Sequence, residues 1–139
     1  MIRAVALEAP ALCFFLGDGE KDLAALRQRF PTLPVYAVRG NCDHRSSLPR
    51  ELRCVVGGVE IFAAHGHMHN VKYDPALCEL LAAAGNARVA LFGHTHRARC
   101  EELDGHLVVN PGPAGLASHP CYALLLIEDG SVSAELRTL

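Results

Sequence analysis

The chain has 139 residues, half of them hydrophobic and a fifth charged, with a formal net charge of −2. That length suits a single domain, expected over residues 1–139 and large enough to bury a core, and the composition excludes a disordered chain. Basic clusters are short, as at Arg97 and Arg99, so no nucleic-acid-binding surface is evident, and no apolar run reaches the length of a membrane span.

The opening "MIRAVALEAPA" lacks the extended apolar stretch of a secretory signal and has helical as much as strand character. "ALCFFLG" is a continuous apolar run ending in Gly17-Asp18-Gly19, the pattern of a strand buried on both faces. In "EKDLAALRQRF", Leu23, Leu26 and Phe30 share one helical face, and Pro31 stops the helix. "PVYAVRGN" is the next strand, which completes a βαβ unit. "RCVVGGVEIFAAHGH" holds two apolar runs joined by Gly57-Gly58, a hairpin turn. Asp74 as N-cap and Pro75 at the first position open a second helix with the stripe Leu77, Leu80, Leu81 and Ala84, ended by Gly85. "ARVALFG" is another buried strand, and the remainder forms two hairpins that turn at Asp104-Gly105 and Asp129-Gly130. The expected fold is α/β: two packed sheets with helices outside.

Six cysteines, Cys13, Cys42, Cys54, Cys78, Cys100 and Cys121, form no CxxC pair. They read as reduced, mostly buried thiols of a cytoplasmic protein. The eight histidines are more telling, because His65, His67, His69, His94 and His96 fall in two tight clusters.

Four strands end alike, at Gly17-Asp18, Gly40-Asn41-Cys42-Asp43, His65-Gly66-His67 and Gly93-His94-Thr95-His96. Sites in α/β folds gather beyond the carboxyl ends of strands. In an extended segment alternate side chains face one way, so His94 and His96 are expected to point together. Asp18, Asn41, His65, His94 and His96 then make a mixed oxygen and nitrogen ligand set. It suits Mn²⁺ foremost, with Fe²⁺, Zn²⁺ or Ni²⁺ as alternatives, better than Ca²⁺ or Mg²⁺. Taken singly, an Asp or Asn after a strand glycine reads as a turn residue and an HxH as a surface or core pair; the combination carries the metal reading.

The order GD, GNCD, HGH, GHTH and "VVNPG" resembles the calcineurin-like metallophosphoesterase superfamily, in particular its small bacterial and archaeal phosphodiesterases. The resemblance runs from about residue 12 to the C-terminus. It implies a four-layer αββα sandwich with two metals at the strand ends. Asp18 would bridge the metals, Asn41, His65 and His94 would complete one site, and His96 would belong to the other. It implies hydrolysis of a small phosphate ester by a metal-activated hydroxide. His67 is a candidate for protonating the leaving group, with a supporting or phosphate-facing role as the alternative.

The sequence departs from the family at its start. Members open with a strand ending in Asp-x-His, which supplies two ligands to the site holding His96; here the opening resembles the family's first helix. The one Asp-x-His, Asp104-Gly105-His106, falls in a hairpin turn. We therefore expect a truncated relative with half of one metal site and weak or absent activity, or a non-catalytic binding module on the same fold. In the family fold the first strand lies inside the sheet, beside residues 11–17. Its loss would leave an open edge, so a homo-oligomer covering Ala11–Leu16 is also expected.

Overall fold

The computed structural model describes residues 1–73, 77–115 and 118–139. Helix α1 (Ile2–Glu8) buries Ala4 and Val5 and ends at Ala9 in the left-handed region. Strand β1 (Cys13–Phe15), helix α2 (Glu20–Arg29) and strand β2 (Val35–Ala37) form the expected βαβ unit, with β1 and β2 parallel. Leu23 and Leu26 of α2 are buried.

The hairpin of β3 (Glu51–Val56) and β4 (Val59–Ala64) turns at Gly57 and Gly58, both at positive φ, which only glycine adopts without strain. A short 3₁₀ turn (His67–His69) follows. Helix α3 (Leu77–Ala84) buries the whole expected stripe of Leu77, Leu80, Leu81 and Ala84. The proposed caps Asp74 and Pro75 lie outside the described residues. Strand β5 (Val89–Leu91) is parallel to β4, and β7 (His106–Asn110) is parallel to β5. Strand β6 (Arg99–Leu103) joins β7 through the Asp104-Gly105 turn, and β8 (Cys121–Glu128) joins β9 (Ser131–Thr138) through Asp129-Gly130.

Strands β3-β4-β5-β7-β6 make one mixed five-stranded sheet. One face packs on α3 through Phe62, Ala90, Phe92 and Val108. The other, formed by Ile61, Val89, Leu91, Leu107 and Val109, meets β1, β8 and β9. The α/β expectation is therefore met, with one difference in the second layer. It consists of two separate two-stranded sheets, β1-β2 and β8-β9, with no ladder between them. Among the described residues, β1 has a strand partner along one edge only. This corrects the expectation for "ALCFFLG": Phe15 is buried, but Cys13 and Phe14 are only partly covered, because no strand flanks them on the second side.

The cysteines also differ from expectation. All six are free thiols, but none is fully buried; Cys42 and Cys78 are exposed and the other four are half-buried. Cys54 and Cys100 lie on β3 and β6, the two edge strands of the five-stranded sheet, where an apolar run does not guarantee full burial. No helix among the described residues is long and apolar enough to cross a membrane.

Candidate metal centre

The ends of β1 and β2 come together because two glycines allow it. A Cβ on Gly40 would stand 1.9 Å from Asp18 Oδ1, and one on Gly17 would stand 2.5 Å from the Gly40 nitrogen. No larger residue fits at either place. Asp18 itself lies in the left-handed region at φ 60°. The junction is tied by Asp43, whose carboxylate accepts hydrogen bonds from the backbone N–H groups of Asp18 (2.8 Å), Gly19 (3.0 Å) and Gly40 (2.9 Å). Burial pushes the Asp43 carboxyl upward, but the N–H groups of Gly40, Asp18, Gly19 and Glu20 outweigh it and hold it below the ordinary range. In return, Cys42 N–H donates to Asp18 Oδ1 at 2.7 Å, which leaves Oδ2 free to face inward.

His65 follows β4 and is only 2% exposed. Its Nδ1 stands 2.6 Å from the Leu16 carbonyl oxygen. A carbonyl only accepts, so Nδ1 carries a proton and Nε2 is the ring nitrogen turned inward. Around Nε2 stand Asn41 Oδ1 at 3.1 Å, His94 Nδ1 at 3.2 Å and Asp18 Oδ2 at 3.3 Å. Asp18, His65 and His94 offer ligand atoms all within 4.8 Å of one another. His94 is held neutral at pH 7: burial first, then the charge of Lys72 and the neighbouring imidazoles, lower its pKa to about 4. Four lone-pair-bearing atoms thus crowd one point, an arrangement that a cation relieves. The set is oxygen and imidazole without thiolate, which fits a borderline divalent ion.

His96 is not part of this cluster, and the reason is conformational. Strand β5 ends at Leu91, and His94 and His96 both have positive φ, 64° and 57°. The GHTH segment is therefore a tight turn, and strand alternation does not govern where its side chains point. His96 is exposed. His67, in the 3₁₀ turn, stands beside the cluster, its ring centroid 5.3 Å from that of His65 and 6.1 Å from that of His94. Burial is the main force lowering its pKa, and its buried Nδ1 has no partner among the described residues. His69 turns elsewhere: its Nε2 lies 3.0 Å from Glu51 and its ring meets Phe62 edge-on. His106 is also separate, a buried strand residue with Nδ1 on the Ala87 carbonyl at 2.6 Å.

Three supports escaped sequence reasoning. The Leu16 carbonyl and the Asp43 clamp depend on contacts 49 and 24–25 residues away along the chain. The third is Asn110, fully buried, which donates to the Gly93 carbonyl and to Thr95 Oγ1, both at 2.9 Å, and so holds the GHTH turn. Its place in "VVNPG" was the available signal.

Residues 2–130 match the family model of the calcineurin-like phosphoesterase superfamily domain. The chain belongs to that superfamily. It is 35% identical over 126 residues to the Bacillus subtilis protein named probable metallophosphoesterase YsnB, covering 88% of this chain and 72% of that one. It is also 35% identical over 77 residues to vacuolar protein sorting-associated protein 29 of Schizosaccharomyces pombe, covering 55% of this chain and 41% of that one. Among solved structures, a conserved Streptococcus pneumoniae protein described as a predicted phosphoesterase superposes with a TM-score of 0.77 at 23% identity, covering 99% of this chain and 80% of that one. In this calcineurin-like chain, then, the strand-end cluster lies within a domain type whose relatives include a protein named as a metallophosphoesterase and one named for vacuolar sorting.

Proposed function

We propose that this chain is a metal-dependent phosphoesterase acting on a small phosphate mono- or diester. The observation that supports this most is the convergence of Asp18 Oδ2, Asn41 Oδ1 and His94 Nδ1 on His65 Nε2, within 3.1–3.3 Å. These four residues would hold one divalent ion, Mn²⁺ foremost, with Fe²⁺, Zn²⁺ or Ni²⁺ as alternatives. Such an ion supplies Lewis-acid activation of water and neutralises charge at phosphorus. The chain's own residues prepare the place. Leu16 sets the His65 tautomer, Asp43 fixes the Asp18 backbone, and burial keeps His94 a neutral ligand. His67 faces the same cluster, and we assign it the proton-handling role at the ester's leaving group. The family resemblance gives a second ion Asp18 and His96 among the residues described, so we expect the first site to fill before the second and turnover to be slow.

The test pairs binding with turnover. Mn²⁺ at 100-fold above its Kd should stabilise the chain by about 2.7 kcal/mol, read as a rise in thermal midpoint. His94→Ala should abolish the rise, together with any Mn²⁺-dependent hydrolysis of bis-p-nitrophenyl phosphate. Mn²⁺ stabilisation that survives His94→Ala would overturn the site. A second reading, a non-catalytic binding module, is favoured by the likeness to the vacuolar sorting protein; it predicts Mn²⁺ stabilisation with no hydrolysis.

We further propose that the chain works in the cytoplasm, in keeping with six free thiols, and that a second copy covers the open edge of β1. Sedimentation at micromolar concentration should give a dimer or larger assembly, and Phe14→Lys should shift it toward monomer. A stable monomer in the unsubstituted chain would refute the assembly.

A further inference from the structure

A cleft of about 380 Å³ has Val71, Lys72, Phe92, Thr95, Arg97 and Arg99 among its lining residues. Thr95 is the residue after the cluster ligand His94, so the cleft begins one residue from the proposed ion. Its volume lies in the roughly 300–1,000 Å³ range of small-ligand sites. Its base is apolar, with Val71 and Phe92 buried. Its wall is held in shape: Thr95 Oγ1 accepts from Asn110 Nδ2 at 2.9 Å and from Arg97 N–H at 3.2 Å.

The charge in this cleft is one-sided. Arg99 is paired with Glu101. Lys72 and Arg97 are exposed, and neither has a carboxylate partner among the described residues. Lys72 lines the cleft, and its charge also reaches His94 and Cys42, whose pKa values it lowers. Two cations without a carboxylate partner among the described residues, lining one nucleotide-sized hollow near a centre suited to one phosphoryl group, match a ligand with a second anionic group.

Building on the phosphoesterase reading, we propose that this cleft is an anion subsite and that the preferred substrate is a nucleotide-sized phosphate ester carrying a second phosphoryl group. The first phosphoryl sits at the Asp18, Asn41, His65 and His94 cluster, and the second sits between Lys72 and Arg97.

The test uses metal-free chain and NMR chemical-shift titration, with adenosine 5′-monophosphate and adenosine 3′,5′-bisphosphate as probes. The bisphosphate should bind about tenfold more tightly. The double variant Lys72→Met with Arg97→Met, on two exposed side chains, should reduce that ratio to below twofold. Equal affinities, absent bisphosphate binding, or a tenfold ratio that persists in the double variant would each overturn the subsite. Repeating the monophosphate titration by calorimetry with and without Mn²⁺, whose paramagnetism would broaden the NMR signals, separates the two readings. Tightening that His94→Ala removes supports the metal centre; no tightening sinks the phosphoesterase reading while the metal-free ratio still judges the cleft.

Discussion

The two faces of the five-stranded sheet are covered to different depths. On one face α3 seals a cluster whose members, Phe62, Leu80, Ala84, Ala90, Phe92 and Val108, are almost wholly buried. On the other, the covering residues Phe14, Leu16, Leu125, Ile127 and Val132 are only partly buried, because two narrow sheets stand where one continuous sheet would close. The candidate metal centre spans this divide. His65 and His94 follow β4 and β5 of the well-covered sheet, whereas Asp18 and Asn41 follow β1 and β2 of the open layer. The linkage between them is short: the Leu16 carbonyl on His65 Nδ1, and Asp18 and Asn41 on His65 Nε2. The difference teaches that a cation bound here would join two layers that packing alone joins weakly, so affinity for the ion and stability of the open layer are coupled.

The sharpest way to break the comparison is to cut equal volume from both faces. Leu80→Ala, at a fully buried position of α3, should cost about 2–5 kcal/mol. Leu125→Ala, on the partly covered face, should cost roughly 1 kcal/mol. Urea denaturation reads both. Equal losses would mean that the two faces are packed alike and that the open layer is closed in solution.

A smaller effect tests how the open layer keeps its ligands in place. Asp43→Ala removes the acceptor of three backbone N–H groups. We expect a loss of about 2–3 kcal/mol and weaker Mn²⁺ stabilisation, since Asp18 would no longer be held toward His65. Asp43→Asn keeps one acceptor oxygen and should lose about half as much. Unchanged Mn²⁺ affinity in Asp43→Ala would show that the clamp does not position Asp18.

The same divide separates what was legible in the sequence from what was not. The elements of the well-covered sheet could be read because their apolar periods and their Gly-Gly and Asp-Gly turns are local signals. Asp18, Asn41, His65 and His94 were legible for the same reason: each follows an apolar run at a strand end. The direction of His96 was not, because left-handed conformations at His94 and His96 override the alternation of an extended strand. The Asp43 clamp, the Leu16 carbonyl and the break between β1 and β8 arise from partners far apart in the chain, which no local pattern encodes. The partial exposure of Cys13 and Phe14 follows from that break, not from anything in "ALCFFLG" itself.

The smallest predicted effect concerns how α1 is fastened to the open layer. Glu8, the last residue of α1, accepts from Tyr122 OH at 2.5 Å and from Arg137 Nη1 at 2.8 and 2.9 Å, so one carboxylate ties the helix to both β8 and β9. Glu135 competes for the same guanidinium, through Arg137 Nη2 at 2.7 Å. The Tyr122 hydroxyl first, then Arg137, hold the Glu8 carboxyl below its ordinary value of 4.5. A folded-state pKa lowered in this way contributes stability that is present above pH 4.5 and is lost as pH falls through the lower folded value. The α1 amides should therefore lose protection against hydrogen exchange, relative to the intrinsic rate at each pH, on acidification below pH 4.5, before the amides of β4 and β5 do. Glu8→Gln keeps the shape but not the charge. It should raise α1 exchange modestly at neutral pH and flatten its acid dependence, with little change in β4 and β5. If α1 and β5 lose protection together at every pH in both chains, the open layer unfolds only with the whole domain, and the contrast between the two faces is one of exposure without a difference in local stability.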